Sequence, residues 1–219
     1  MRIDGLDNIE IPATINISPA HDMSSHSNVL KEKIANMLTS NGFYEIFTNS
    51  ITNSAYFDEE GLKHAVKMIN NLSADLDILR PSLLPTGLEV IAHNINRKNV
   101  NLSLFEFGKI YRKEHDVQYT EQSHLSIYVS GDAKETSWNH KAEKADYFFI
   151  KGLCEKILKA SGIHDFGFEP TILADYEMAV NIKLNHKIIG VLGIVSEKKN
   201  KQFGIKQPVL VADIFWDEM

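Results

Sequence analysis

The sequence predicts an α+β fold built on a mainly antiparallel sheet flanked by helices. Two pairs of alternating segments predict the sheet, one at 102–112 with 125–129 and one at 180–184 with 188–195. Three amphipathic segments, near 25–41, 82–95 and 147–160, are inserted between groups of strands and do not alternate with them one for one, which argues against a parallel sheet. At 219 residues the chain is one large domain or two small ones. Its composition, 43% hydrophobic and 24% charged, is that of a globular protein and rules out intrinsic disorder.

Residues 1–24 show no sustained period and read as the tail of a preceding domain plus a linker; residues 25–219 form the core domain. A chain that opens in mid-pattern is expected to be a piece of a longer one. Ser25 to Ser27 supply N-cap chemistry for the first helix, whose stripe is Leu30, Ile34, Met37 and Leu38. Asn41-Gly42 ends it. Short strands are expected at 43–48 and 66–69, with a short helix at 54–62 between them. Ser82 opens the second long helix, with Pro85 in its first turn and a stripe of Leu84, Leu88, Ile91, Ala92 and Ile95; residues 94–101 are its polar exit.

Parity along 102–112 puts Phe105, Phe107 and Tyr111 on one face, expected to be largely buried. Leu104, Glu106, Gly108, Ile110 and Arg112 share the other, where Glu106 needs a hydrogen-bonding partner and Arg80 or Arg97 could supply it. A polar hairpin loop is expected at 113–123 and a polar connection holding Trp138 at 131–144. The third helix buries Ile150, Leu153, Cys154, Ile157 and Leu158, and Gly162 stops it. Asn185-His186 turns the second hairpin. Gly190 and Gly193 in its return strand mark a bulge or a close backbone approach. A short helix at 196–203 and a strand at 209–215 complete the chain.

Composition excludes several functions. A net charge of −6 argues against nucleic-acid binding through bulk charge. One cysteine, Cys154, leaves no internal disulfide and no Cys-rich zinc site, and its place on an apolar stripe marks it as structural. No apolar run is long enough to span a membrane and no signal peptide opens the chain, so a cytoplasmic domain is expected. The nine histidines show no zinc spacing; Glu121 and His124, spaced ExxH, are expected in a solvated loop. Lys198, Lys199 and Lys201 are expected on a solvated helix face. There is no P-loop, no GxGxxG and no G-x-S-x-G elbow.

Tyr111-Arg112-Lys113-Glu114 closes a strand with Arg-x-Glu, which resembles the second signature motif of class II aminoacyl-tRNA synthetases. There the Arg grips the ATP α-phosphate, for which a guanidinium fork is suited. The same four residues also suit a solvated hairpin end, and both readings stand at this point. Longer stretches are more specific. Residues 2–9 (Arg-Ile-Asp-Gly-Leu-Asp-Asn-Ile) and Leu79-Arg80-Pro81-Ser82-Leu83-Leu84-Pro85-Thr86-Gly87-Leu88 resemble segments of the bacterial phenylalanyl-tRNA synthetase beta subunit family. So do Asn94-Ile95-Asn96-Arg97, residues 104–111 (Leu-Phe-Glu-Phe-Gly-Lys-Ile-Tyr), residues 145–152 (Ala-Asp-Tyr-Phe-Phe-Ile-Lys-Gly) and residues 188–193 (Ile-Ile-Gly-Val-Leu-Gly). They fall in the family's order across essentially the whole chain. Asn71 for the family's proline and Leu6 for its aromatic are mild departures.

The resemblance implies a class II synthetase-like core, an antiparallel sheet flanked by helices, that is catalytic-like but neither binds ATP nor forms the adenylate. Arg112 and Glu114 would be a vestigial second motif, and Glu106 and Arg80 would lie on the face that lines the substrate cleft in active relatives. The third motif, a Gly-rich junction ending in Arg, has no counterpart: Gly193 is followed by Ile194-Val195-Ser196-Glu197, no G-x-G-x-x-R occurs, and Arg112 is the last arginine. The implied role is structural support of a catalytic alpha subunit in an α2β2 assembly that charges tRNA with phenylalanine. ATP and magnesium belong to the whole enzyme; this chain is assigned no metal and no cofactor of its own. The family's editing domain would precede this region, as would its magnesium-contacting acidic residues, and its anticodon-binding domain would follow. An apolar patch is expected around 28–48. Two other functions stay open: a free-standing class II-like ligase using Arg112 and Glu114, and a regulatory module binding an amino acid in a vestigial pocket.

Overall fold

The computed structural model describes residues 23–219 apart from 72, 74, 116, 117 and 135. The tail-and-linker expectation therefore falls almost entirely outside the described residues. Helix α1 (Met23–Ser40) begins before Ser25, so Ser25 to Ser27 lie within it and are not its cap. Its stripe is as expected: Ile34 and Leu38 are buried and Leu30 and Met37 half-buried. Gly42 takes the left-handed φ of +84° that closes such an end.

Strand β1 (Tyr44–Glu45) is shorter than expected and pairs in parallel with β5 (Leu102–His115). Between them, β2 (Ile51–Thr52), β3 (Val66–Lys67) and β4 (Ile78–Leu79) form a small sheet in the order β2-β4-β3. The helix expected at 54–62 is split into a 3₁₀ turn at Ser54–Tyr56 and α2 (Glu59–Leu62), because Asn53 and Asp58 each cap a separate turn with a side-chain oxygen. Helix α3 (Leu84–Asn96) has Pro85 in its first turn.

Strand β5 and strand β6 (Gln118–Ser130) form a hairpin in register from Leu102↔Ser130 to Lys113↔Tyr119, with a shift of one residue before His115↔Gln118. The loop expected at 113–123 is thus mostly strand. This outer half of the ribbon carries polar residues such as Lys109 and Glu121, ion-paired at 2.7 Å, so its polarity mimicked a loop. Residues 131–144 are likewise not a plain connection: β7 (Asp132–Lys134) and β8 (Glu143–Lys144) make a small hairpin whose turn holds the exposed Trp138.

Helix α4 (Tyr147–Ala160) is capped by the Asp146 carboxylate, which accepts from the Phe149 N–H, and it buries the five residues expected of it. Strand β9 (Phe166–Thr171) was not foreseen, because Gly167 and Pro170 argue against a strand interior; it is the outer edge, where both are tolerated. Then come β10 (Tyr176–Leu184), β11 (Lys187–Val195), α5 (Glu197–Gln202) and β12 (Val209–Phe215). The large sheet runs β1-β5-β6-β12-β11-β10-β9, antiparallel except at β1–β5.

One face of this sheet packs against α1 and α4 through Ile34, Leu38, Phe105, Ile127, Cys154 and Ile157. The other packs against α3 through Leu84, Leu88, Ile91, Leu104, Tyr128 and Val211. Gly190 and Gly193 are sites of close backbone approach: an added Cβ would lie 2.7 Å from the Asp213 carbonyl oxygen and 2.1 Å from that of Met178. Lys199 overturns the solvated-face expectation. It is buried, and its ammonium donates to the Tyr56 carbonyl at 2.6 Å and sits 3.2 Å from Asp175, tying α5 to the 3₁₀ turn.

Burial pushes the Cys154 thiol up to about 12. The unfolded chain therefore loses this proton first, so the contribution is complete below the ordinary thiol range and is lost as pH climbs toward 12. A disulfide exchange reagent at pH 8 should label the native chain far more slowly than the urea-unfolded chain. Rapid native labelling would mean that α4 opens.

Candidate functional site

The cleft-face residues named from sequence meet at one place. Parity on β5 turns Glu106 toward α3, and the segment leading into α3 brings Arg80 over it. Arg80 Nη1 donates to Glu106 Oε1 at 2.9 Å, with side chains 3% and 0% exposed. Glu106 also accepts from the Thr48 N–H at 3.2 Å and, through Oε2, from the Thr48 hydroxyl at 2.7 Å. Arg80 further donates from Nε to the Lys109 carbonyl at 2.8 Å and from Nη1 to Thr48 Oγ1 at 2.6 Å. Thr86 joins through a 3.1 Å contact with Thr48. The partner of Glu106 is therefore Arg80; Arg97, on the exposed end of α3, bonds the His93 carbonyl instead.

This face is closed over by packing. Above Gly108 an added Cβ would meet Arg80 Nη2 at 2.6 Å and Leu83 Cδ2 at 2.8 Å. At Gly87 it would meet the Tyr128 ring at 2.2 Å. The Tyr128 hydroxyl donates to the Leu83 carbonyl at 2.7 Å, and its burial, with Glu106 near, holds the phenol well above its ordinary range.

Arg112 and Glu114 are not part of this cluster. Both are exposed, on the outer half of the β5–β6 ribbon. Arg112 lies six residues from Glu106, about 20 Å along a strand. Of the four residues singled out, the fold joins Arg80 and Glu106 and leaves the Arg-x-Glu pair in solvent. The aromatic face is also only partly as expected: Phe105 is fully buried, but Phe107 and Tyr111 are half-buried, because β1 ends after two residues and beyond it β5 is bridged by the Arg80 and His64 carbonyls, which accept from the Tyr111 and Lys113 N–H groups at 3.0 and 2.8 Å.

A second polar cluster was missed. His124, expected in a loop, is buried on β6, with Nδ1 2.9 and 3.0 Å from the two carboxylate oxygens of Asp213 on β12. Ser126 donates to the same carboxylate at 2.7 Å. Two signals were available: His124, Ser126 and Tyr128 alternate with Leu125, Ile127 and Val129, and Asp213 is the lone charge in an apolar strand. Among the described residues, no group of three or more His, Cys, Asp or Glu side chains could hold a metal ion, and no helix is long and apolar enough to cross a membrane.

Residues 11–216 match the family described as the phenylalanyl tRNA synthetase beta chain CLM domain. The phenylalanine–tRNA ligase beta subunit of Bacteroides thetaiotaomicron is 37% identical, covering 100% of this chain and 28% of its own length. That of Porphyromonas gingivalis is 35% identical, with 100% and 29% covered. The chain thus spans under a third of the length of these curated relatives. Among solved structures, pyrrolysyl-tRNA synthetase from Desulfitobacterium hafniense superposes with a TM-score of 0.70 at 18% identity, covering 90% of this chain and 70% of that one. At that identity the likeness speaks to fold alone, and the fold is the class II synthetase sheet flanked by helices.

Proposed function

Since this chain belongs to the CLM-domain family of phenylalanyl-tRNA synthetase beta chains, we propose that it is a non-catalytic structural domain of a phenylalanine–tRNA ligase beta subunit. Its role is to support a catalytic alpha subunit that charges tRNA with phenylalanine, and the ATP and magnesium of that reaction belong to the whole enzyme. The observation that carries the reading is the closed cleft face. The side chains there do not fit a nucleoside triphosphate: Arg80 is spent on Glu106, Leu83 and Arg80 cover Gly108, and Tyr128 fills the space at Gly87. Arg112 stands in solvent without a second arginine to bracket phosphates, since Arg2, Arg80, Arg97 and Arg112 are all the chain has.

ATP–pyrophosphate exchange with phenylalanine should therefore stay at the no-protein level for this chain alone. Exchange above that level that disappears in Arg112→Ala would establish the free-standing ligase instead.

A domain kept without chemistry is kept for its surfaces. Val29, Tyr44 and Phe47 are exposed large apolar residues in the segment 28–48, Phe47 at 94%. Such residues favour an interface. Phe47→Asp should weaken co-purification with the alpha subunit while leaving the melting temperature of the chain unchanged. Undiminished co-purification would move the contact away from this segment.

A further inference from the structure

We propose that the outward face of α4 is a self-association surface, on which a second copy of this chain lays its own α4 antiparallel, crossing at Gly152. This goes beyond the scaffold role and does not rest on it. A glycine inside a helix costs stability relative to alanine, so it calls for a reason such as a close approach. Gly87, in α3, has one, since the Tyr128 ring lies where its Cβ would be. Gly152, sixth of the fourteen residues of α4, has none within the fold. Among the described residues nothing lies within 4 Å of a Cβ built there, and its φ is not left-handed.

Helical periodicity gives the direction of that notch. Ile150, Leu153, Cys154, Ile157 and Leu158 turn toward the sheet. Phe148, Gly152, Glu155 and Lys159, at spacings of four, three and four, form the opposite stripe, with Lys156 beside it. Phe148 is 73% exposed, and Lys156 and Lys159 are exposed. Glu155 lies 3.9 Å from Lys151 and 3.7 Å from Lys159, loose pairs within the helix that a closer partner can replace. An uncovered aromatic ring thus stands one turn before the notch, and two long-stemmed cations stand one and two turns after it.

This face is complementary to itself in the antiparallel sense. A two-fold axis at the crossing sets the residues before the notch in one copy against those after it in the other, and every contact occurs twice. Phe148 of one copy meets the Lys156 and Lys159 stems of the other, an aromatic ring under cations. The signs match as well. Asp146 stands at the start of α4 and Lys156 and Lys159 near its end, so reversed copies bring acid to base and align their helix dipoles head to tail. A parallel copy would set lysine on lysine. With no side chain at either Gly152, the two backbones can come closer than the usual helix separation of about 8–10 Å. One helix crossing is a small interface, so the dimer is expected to be weak, in the micromolar range.

Sedimentation velocity of the whole chain from about 1 to 500 µM should show reversible exchange between monomer and dimer. Gly152→Ala separates the two states. In the monomer it should raise the urea midpoint, because the added methyl meets open space and favours the helix. In the dimer it should weaken association at least about tenfold, because two methyls now hold the backbones apart. Phe148→Ser should weaken association about as much with the circular dichroism spectrum unchanged. On mild oxidation, two Gly152→Cys chains should crosslink, since a disulfide needs Cα atoms within about 7 Å. Lys198→Cys, exposed on α5, should not, and the native Cys154 is buried and does not compete. A chain that stays monomeric throughout would overturn the proposal and give this face to another occupant. So would undiminished association of Gly152→Ala or Phe148→Ser, or crosslinking no faster at 152 than at 198. A Gly152→Ala chain less stable than the parent would also overturn it, by giving the glycine a reason inside the fold. Co-purification with an alpha subunit is scored separately, so failure here leaves the scaffold role standing.

Discussion

Arg80→Ala should destabilise the chain by about 3–5 kcal/mol, the cost of leaving one member of a buried pair without its partner. Glu106 is fully buried, and Arg80 is the charge that faces it. Truncation at Arg80 also strips a donor from the Lys109 carbonyl and from Thr48 Oγ1. Thr48 would still donate twice to Glu106, which softens the loss without neutralising the carboxylate. For a domain of this size the loss corresponds to a fall in melting temperature of about 6–20 °C. Lysine at 80 should restore little, since it lacks the fork that reaches Lys109 and Glu106 together. Replacing both partners, Arg80→Met with Glu106→Leu, should recover most of the stability, because no buried charge is then left over. Urea unfolding of the parent chain, Arg80→Met, Glu106→Leu and the double variant completes the cycle. A cost below about 1 kcal/mol for Arg80→Ala would mean that the pair is hydrated like a surface bridge and that the cleft face is not closed.

Phe105→Ala should cost about 3–5 kcal/mol, through lost burial and the cavity left between the sheet, α1 and α4. Phe105 is fully buried in the larger core, edge to face with Phe107 at 6.1 Å. Phe107→Ala should cost about half as much, since its ring is only half-buried and has the Lys31 ammonium over one face. The contrast between the two is the informative measurement. Equal losses would show that the Phe107 ring is as fully enclosed in solution as that of Phe105.

Local pattern was enough for α4, where a 3.6-residue stripe and a terminating glycine agreed, and the structure adds the Asp146 cap. It was enough for the face assignment on β5, since parity in a strand is a geometric property of the backbone. It failed where an element's surroundings differ from the usual ones. The outer β5–β6 ribbon carries polar side chains and reads as a loop. Strand β9 contains glycine and proline that only an edge position permits. Lys199 sits on a polar helix, but the helix packs its cation against Tyr56 and Asp175, over a hundred residues and some twenty residues away in sequence.

The sequence by itself determined the fold class, the family, the core stripes and the need of Glu106 for a partner. These follow from backbone periodicity, from motif order, and from the cost of burying a carboxylate alone. Only the tertiary structure decided which arginine answers Glu106, that Arg112 stands apart from it, and that His124 is locked by Asp213. Those outcomes depend on strand order and register: β12, the last strand, is inserted between β6 and β11, and that placement sets residue 213 beside residues 124 and 126. No local pattern encodes a contact across some ninety positions, because it is packing of the whole sheet, not the preference of any one segment, that brings those side chains together.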